Sequence, residues 1–235
     1  MSIKWGKNKK IKVIEDTYRF ILSKGEHFSQ LIDPKNSIQI AQFNLNESTV
    51  GTLTLGYDER YRKEGELVAQ FESEQLGGMI AAAAFSFEEV EKGRWVCRIG
   101  CIQGHSKNDD NHSKTAQKMM NGLRPKSLII FTLQELAREL GCTAVYGAGD
   151  SIQAYRKKHA IHLPWRHTIS FNYNAVWSES DGQPVAEGWY QLPLKAVQKD
   201  MSEIKTHKRA YYRKRYALLD SISLLISSKM KKAAA

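Results

Sequence analysis

Two side chains of this 235-residue sequence stand where proton chemistry needs them, His105 and Asp150. His105 follows an apolar stretch, Arg94 to Gln103, that reads as a strand, and Asp150 closes a second one, Cys142 to Gly149. Neighbouring strands would bring imidazole and carboxylate to one end of a sheet, the histidine as general base and the aspartate orienting it or a substrate. Both residues also have a plainer reading. His105 lies in a polar loop where a histidine is simply solvated, and Asp150, followed by Ser151, is a good cap for a helix around Ile152 to Lys157.

Anion binding is the second chemistry the spacing suggests. In Gly122-Leu-Arg-Pro-Lys, Pro125 suits a first helical turn, which puts Arg124 and Lys126 at a helix N-terminus. Cations there oppose the helix dipole, and an anion bound between them and the backbone N–H groups would make sense of the placement. Gln103 and Gly122 join Arg124 and Lys126 as candidate ligand-binding positions. A third cluster interleaves Lys208, Arg209, Arg213, Lys214 and Arg215 with Tyr211, Tyr212 and Tyr216. Such a helix can lie on the phosphates of anionic lipid or RNA, or its tyrosines can anchor it while the cations face water.

No metal site is expected. His105/His112 and His159/His162/His167 lack the nearby Cys or Glu that would complete a ligand set, and Pro164 interrupts the second group. Cys97, Cys101 and Cys142 cannot all pair with one another and form no Cys-x-x-Cys, which favours a reducing, cytoplasmic setting. Cys101, between Gly100 and Ile102, reads as a buried strand residue rather than a nucleophile.

The elements that must position these residues follow from composition and pattern. The chain is 42% hydrophobic and 26% charged, with a net charge of +10. A protein of this length can bury a core without disulfides or a structural metal. The charge is segregated. Met1 to Lys24 has seven Lys/Arg and two acids, Ser151 to Ser170 four and none, and Lys195 to the end eleven and three, which leaves −7 for the remainder. Such stretches attract acidic or phosphate-rich partners by steering that salt weakens. The longest apolar run, Leu76 to Phe87, is too short and too interrupted to span a bilayer, and Glu15, Asp16 and Arg19 argue against a secretory signal.

The periodicity predicts a mixed α/β fold with a largely antiparallel central sheet. A helix is expected over Thr17 to Leu31, strands from Ile38 and over Leu67 to Glu72, Gly78 to Phe87 and Arg94 to Gln103, then mostly loop from Gly104 to Asn121, with room for a helical turn or two at Thr115 to Met120. A long amphipathic helix runs from Pro125 to a Gly141 stop, and the strand Cys142 to Gly149 completes a crossover unit. Ile169 to Trp177 alternates like a strand before a turn at Ser180-Asp-Gly, and a basic helix begins near Ser202. Three segments result: a helical lead-in over 1–37, a core over 38–194 and a docked basic helix over 195–235.

Met119-Met-Asn-Gly-Leu-Arg-Pro-Lys-Ser-Leu-Ile-Ile resembles the VirK/YbjX family of Gram-negative bacterial proteins, most specifically in Gly-Leu-Arg-Pro-Lys. Gly100-Cys-Ile-Gln-Gly, the helix end at Leu136 to Gly141, Trp189-Tyr-Gln-Leu-Pro-Leu and the basic helix from Lys208 carry the likeness across about His27 to Ser221. Asn174-Ala-Val-Trp-Ser-Glu departs from the more aromatic, acidic pattern expected there. The resemblance implies virulence, envelope adaptation and antimicrobial-peptide resistance as a context, without an agreed reaction. The element order is similar to the acyltransferase fold of the Gcn5-related type, but no glycine-rich pyrophosphate loop precedes Leu128, and Pro125 lacks an N–H that such a loop needs. A related resemblance is to the bacterial acyltransferases that activate toxins, which use this fold but take fatty acyl groups from acyl carrier protein and need no pyrophosphate loop. That likeness implies an acyl carrier protein or acyl-CoA thioester as donor, with the acidic carrier steered by the basic surface. The alternative is a non-enzymatic basic adaptor on the inner membrane surface, an RNA or a protein.

Overall fold

The computed structural model describes residues 1–104, 110–154 and 171–234. Helix α1 (Lys7–Leu22) starts ten residues before the expected Thr17, because Val13 and Phe20 share its buried face. It ends before Gly25, whose φ of +91° no right-handed helix accommodates, and the single turn α2 (Glu26–Ser29) and a 3-10 turn over Gln30–Ile32 follow. Strands β1 (Ser37–Asn44), β2 (Val50–Gly56), β3 (Leu67–Ser73), β4 (Gly78–Glu91) and β5 (Arg94–Gly104) form an antiparallel meander. The expected strands lacked β2. It alternates in burial along its length, and its Gly51 lies where the rings of Phe43 and Phe71 leave no room for a Cβ.

Helix α3 (Asp110–Met119) takes up most of the expected loop and is longer than the turn or two expected at Thr115 to Met120, and α4 (Pro125–Glu139) then carries the chain to β6 (Ala144–Ala148), which pairs parallel with β5. Helix α5 (Tyr173–Glu179) stands where alternation predicted a strand. Its caps decide the matter: Asn172 Oδ1 accepts the Ala175 N–H at 2.8 Å, and Asp150 Oδ1 accepts that of Tyr173 at 3.1 Å. The short β7 (Gln183–Pro184) and β8 (Trp189–Leu192) complete a sheet of order β1-β2-β3-β4-β5-β6-β8-β7. Helix α6 (Thr206–Ala234) begins later than Ser202, whose N–H is spent on Asp200 Oδ1 in the preceding turn. The histidine-rich stretch Tyr155 to His167 lies outside the described residues.

This is the mixed, largely antiparallel architecture with N-terminal, central and C-terminal helices that the sequence predicts. A strand–helix–strand crossover follows the meander. Helix α4 packs across β3, β4 and β5, and Ala81 to Ala84 of β4, all fully buried, let it approach closely. Helix α6 packs on β1 and α4. Helix α1 lies along β4 past the end of β3, where its side chains do the work of a strand. Thr17 Oγ1 accepts the Phe87 N–H at 3.0 Å, Asp16 Oδ2 that of Glu89 at 3.0 Å, and Lys12 Nζ donates to the Glu89 carbonyl at 2.8 Å.

Candidate functional site at the start of the crossover helix

The only parallel ladder among the described strands runs from Val96↔Ala144 to Ile99↔Gly147 and then stops. At that point β5 carries an extra residue, since Ala84 pairs with Cys101 but Phe85 with Ile99, leaving Gly100 as a bulge. A bulge bends the strand and ends pairing, so β5 and β6 part at their C-terminal ends. Glycine is required there because a Cβ would stand 1.8 Å from the Glu64 carbonyl oxygen. Beyond the parting, β5 leads to Gly104 and towards His105, which lies outside the described residues, and β6 leads through Gly149 to Asp150.

Helix α4 opens at the same end. Arg124 is its N-cap residue, with extended backbone, and Pro125 fills the first helical position. Lys126 reaches back to β5, its Cε 3.1 Å from where a Cβ on Gly104 would stand, and its Nζ lies 3.8 Å from the centre of the Phe171 ring. Burial, with Arg124 beside it, holds the Lys126 amine below the usual lysine range. Arg124 pairs with Glu179 of α5, both about half exposed. Between α3, α4 and α5 these side chains border a cavity of about 270 Å³, with Ser113 and Gln117 on the α3 wall and Val176 on the α5 wall. Sequence reasoning found Arg124 and Lys126 but missed Ser113, Gln117, Phe171 and Glu179, which sit on or beside the two helices it misread.

Asp150 does not face open space. Its carboxylate accepts the Tyr173 and Asn174 N–H groups at 3.1 and 3.3 Å, while its own N–H donates to Asn174 Oδ1 at 2.9 Å. It therefore fastens the start of α5 to the end of β6 and caps that helix; most of the helix expected around Ile152 to Lys157 lies outside the described residues. Trp177, fully buried, adds an Nε1–H bond to the Ala148 carbonyl at 2.9 Å. Gln103 is an exposed residue of β5 paired with Ala82. Gly122, at φ +74°, turns the chain between α3 and α4, and a Cβ there would meet Arg215 Nη2 and Tyr211 Cε1, each at 2.8 Å.

The basic helix thus touches the same turn. Arg215 Nε donates to the Asn121 carbonyl at 3.0 Å and its guanidinium stacks on Tyr212 at 4.4 Å. Arg209 Nε is held by the Ile204 carbonyl at 2.9 Å. Lys208, Arg213 and Lys214 are exposed, and none of the ion pairs among the described residues includes them. The structure brings Arg124, Lys126, Gly122 and Arg215 to one end of the molecule.

Other reactive groups are arranged differently. All three cysteines are free and buried, and burial pushes the Cys101 and Cys142 thiols up to about 12 and Cys97 well above its ordinary value. They stay protonated at neutral pH. Among the described residues no three His, Cys, Asp or Glu side chains gather as metal ligands, and no helix is long and apolar enough to cross a membrane. A second charge cluster lies deep in the sheet. Glu88, 1% exposed, pairs with both Arg98 and Lys9, and the Arg98 guanidinium stacks on Trp189, Tyr146 and Trp5 at 4.7, 4.9 and 5.4 Å.

Comparison with known proteins places this geometry in a family. The chain is similar to an uncharacterized protein of Haemophilus influenzae, 34% identical over 127 residues that make up 54% of this chain and 41% of the relative. It is similar to the uncharacterized protein YbjX of Escherichia coli, 29% identical over 84% of this chain and 58% of that protein. The chain therefore spans about half the length of the curated relatives it matches. Among solved structures, the cAMP-binding acyltransferase from Mycobacterium smegmatis aligns at a TM-score of 0.38 and 11% identity over 98% of this chain and 62% of that one. A mutant form of it scores 0.40 at 10% identity over 99% and 63%. Scores this low carry no weight, and the fold class rests on the strand order described above. The family model for a protein of unknown function, DUF535, matches residues 1–228, and to that family the chain belongs.

Proposed function

We propose that this protein is an acyltransferase-like enzyme of bacterial envelope adaptation that takes its acyl group from a thioester donor. The observation that carries the reading is Lys126. Its half-buried amine, destabilised as a cation, borders a small cavity at the first turn of α4, beside Arg124 and where β5 and β6 part. A phosphate-bearing arm entering there meets two cations and the start of a helix dipole, and relieves the repulsion between Lys126 and Arg124. Pro125 withholds a backbone N–H that a pyrophosphate cradle would use, which favours the single phosphodiester of a carrier-protein arm over coenzyme A.

In the reaction an acceptor hydroxyl or amine attacks the thioester carbonyl. His105 takes its proton, Asp150 positions α5 against the strand end, and the donor's sulfur leaves as thiolate. Exposed Lys208, Arg213 and Lys214 steer an acidic acyl carrier protein to this end. Resistance to antimicrobial peptides would follow from acylation of an envelope component.

Thiol release from acyl carrier protein thioesters and from acyl-CoA, measured with and without an acceptor extract, tests this. Lys126→Met and His105→Ala are each expected to lower kcat/KM by about tenfold or more, and the carrier thioester to be the better donor. Thiol release no faster than without protein, or full rates in both variants, would overturn it. The unpaired cations of α6 favour a second reading, a non-enzymatic adaptor. Stable complex formation with the acidic carrier without turnover would select it.

A further inference from the structure

Helix α6 carries eight Lys/Arg and one acid over residues 206–234. Its inner face is apolar: Leu219, Ile222, Ile226 and Met230 are buried, where the helix packs on β1 and α4. Following the 3.6-residue period, the opposite crest passes through Arg213, Lys214, Ala217, Ser221, Leu224 and Ser228, every one of them exposed. Leu224 is 72% exposed, Leu225 beside it 39%, and Val197, which lines a surface groove together with Leu224, 63%. The single acid, Asp220, stands on the flank towards that groove, where Gln198 Nε2 donates to it at 3.3 Å.

The water-facing side of a helix ordinarily carries long charged residues of both signs. This crest has cations towards one end, Lys231 exposed near the other, and only small residues and bare leucine between. That is the pattern of a helix lying in the plane of a membrane surface, where the cations meet anionic headgroups and a few apolar side chains enter the boundary. We propose that the outward face of α6 is a contact surface for a bilayer containing anionic lipid. The contact is peripheral, since the helix is too polar to span. It shares Arg213 and Lys214 with the carrier-steering surface proposed above, needs no thioester chemistry for its test, and would hold the pocket at the start of α4 near the membrane.

Flotation with phosphatidylcholine–phosphatidylglycerol vesicles, alongside phosphatidylcholine alone, tests it. The full chain is expected to float with the mixed vesicles only, and salt should release it. Arg213→Glu with Lys214→Glu should weaken partition at least about tenfold, and Leu224→Ser severalfold. These positions are exposed, and an unchanged thermal midpoint checks that each variant folds. Absence of flotation, or flotation that both variants retain in full, would overturn the proposal. So would a concentration-dependent dimer that Leu224→Ser dissolves while lipid binding stays nil, because the face would then be covered by a second copy.

Discussion

Arg98 and Arg124 each face a glutamate, yet the two pairs sit in opposite physical regimes. Glu88 is 1% exposed and Arg98 15%, three aromatic rings surround the guanidinium, and Lys9 adds a second cation. Arg124 and Glu179 are 54% and 51% exposed and border a cavity. Enclosed charge must be matched inside the protein because water cannot compensate it, whereas half-open charge can exchange its partner for a ligand at little cost. The first cluster is committed to holding β4 and β5 against the N-terminal segment. The second is available for chemistry.

That contrast predicts graded effects. Glu88→Ala leaves two cations without their carboxylate, one of them nearly buried, and should cost about 3–5 kcal/mol in chemical denaturation. A loss below about 1 kcal/mol would place the pair in the same regime as Arg124. Gly122→Ala forces a side chain to a φ of +74° and presses on Arg215 and Tyr211. About 1–2 kcal/mol is expected from the backbone alone, read as a shift in the denaturation midpoint without a change in slope. Smallest of all, Glu179→Ala should change stability by less than about 1 kcal/mol while freeing Arg124 for an anion. Tighter binding of inorganic phosphate by this variant than by the parent would sharpen the distinction, and a stability loss comparable to that of Glu88→Ala would erase it.

The crossover helix was legible because both its ends are written in residue types, Pro125 at the start and Gly141 after the end. The meander was legible where polar and apolar residues alternate. Helix α3 was legible only as a turn or two at Thr115 to Met120, since only Ala116 and Met120 of that region bury apolar groups and two such positions make too short a periodic signal for the whole helix. Helix α5 was misread for a different reason. Phe171, Tyr173, Ala175 and Trp177 alternate as a strand would, but Tyr173 and Trp177 are also four apart, and the capping by Asn172 and Asp150 chooses the helix. Asp150 reaches across 23 residues of sequence to do so. Half of the cavity was lost with these two helices. Its Arg124 and Lys126 were found because cations at a helix start are locally unfavourable and therefore visible. The Glu88–Arg98 cluster depends on register, with Arg98 opposite Ser86, and no local pattern announces it.

Helix α1 closes the open flank of β4 with the side chains of Lys12, Asp16 and Thr17 in place of a neighbouring strand's backbone. Until that helix docks, a nascent or partly unfolded chain offers Phe87 to Glu89 as a bare template for another chain's backbone. The contact is thus a guard against self-association as well as a fastening. It makes the moment of helix docking, rather than the formation of the sheet, the point after which this stretch of β4 is closed to other copies.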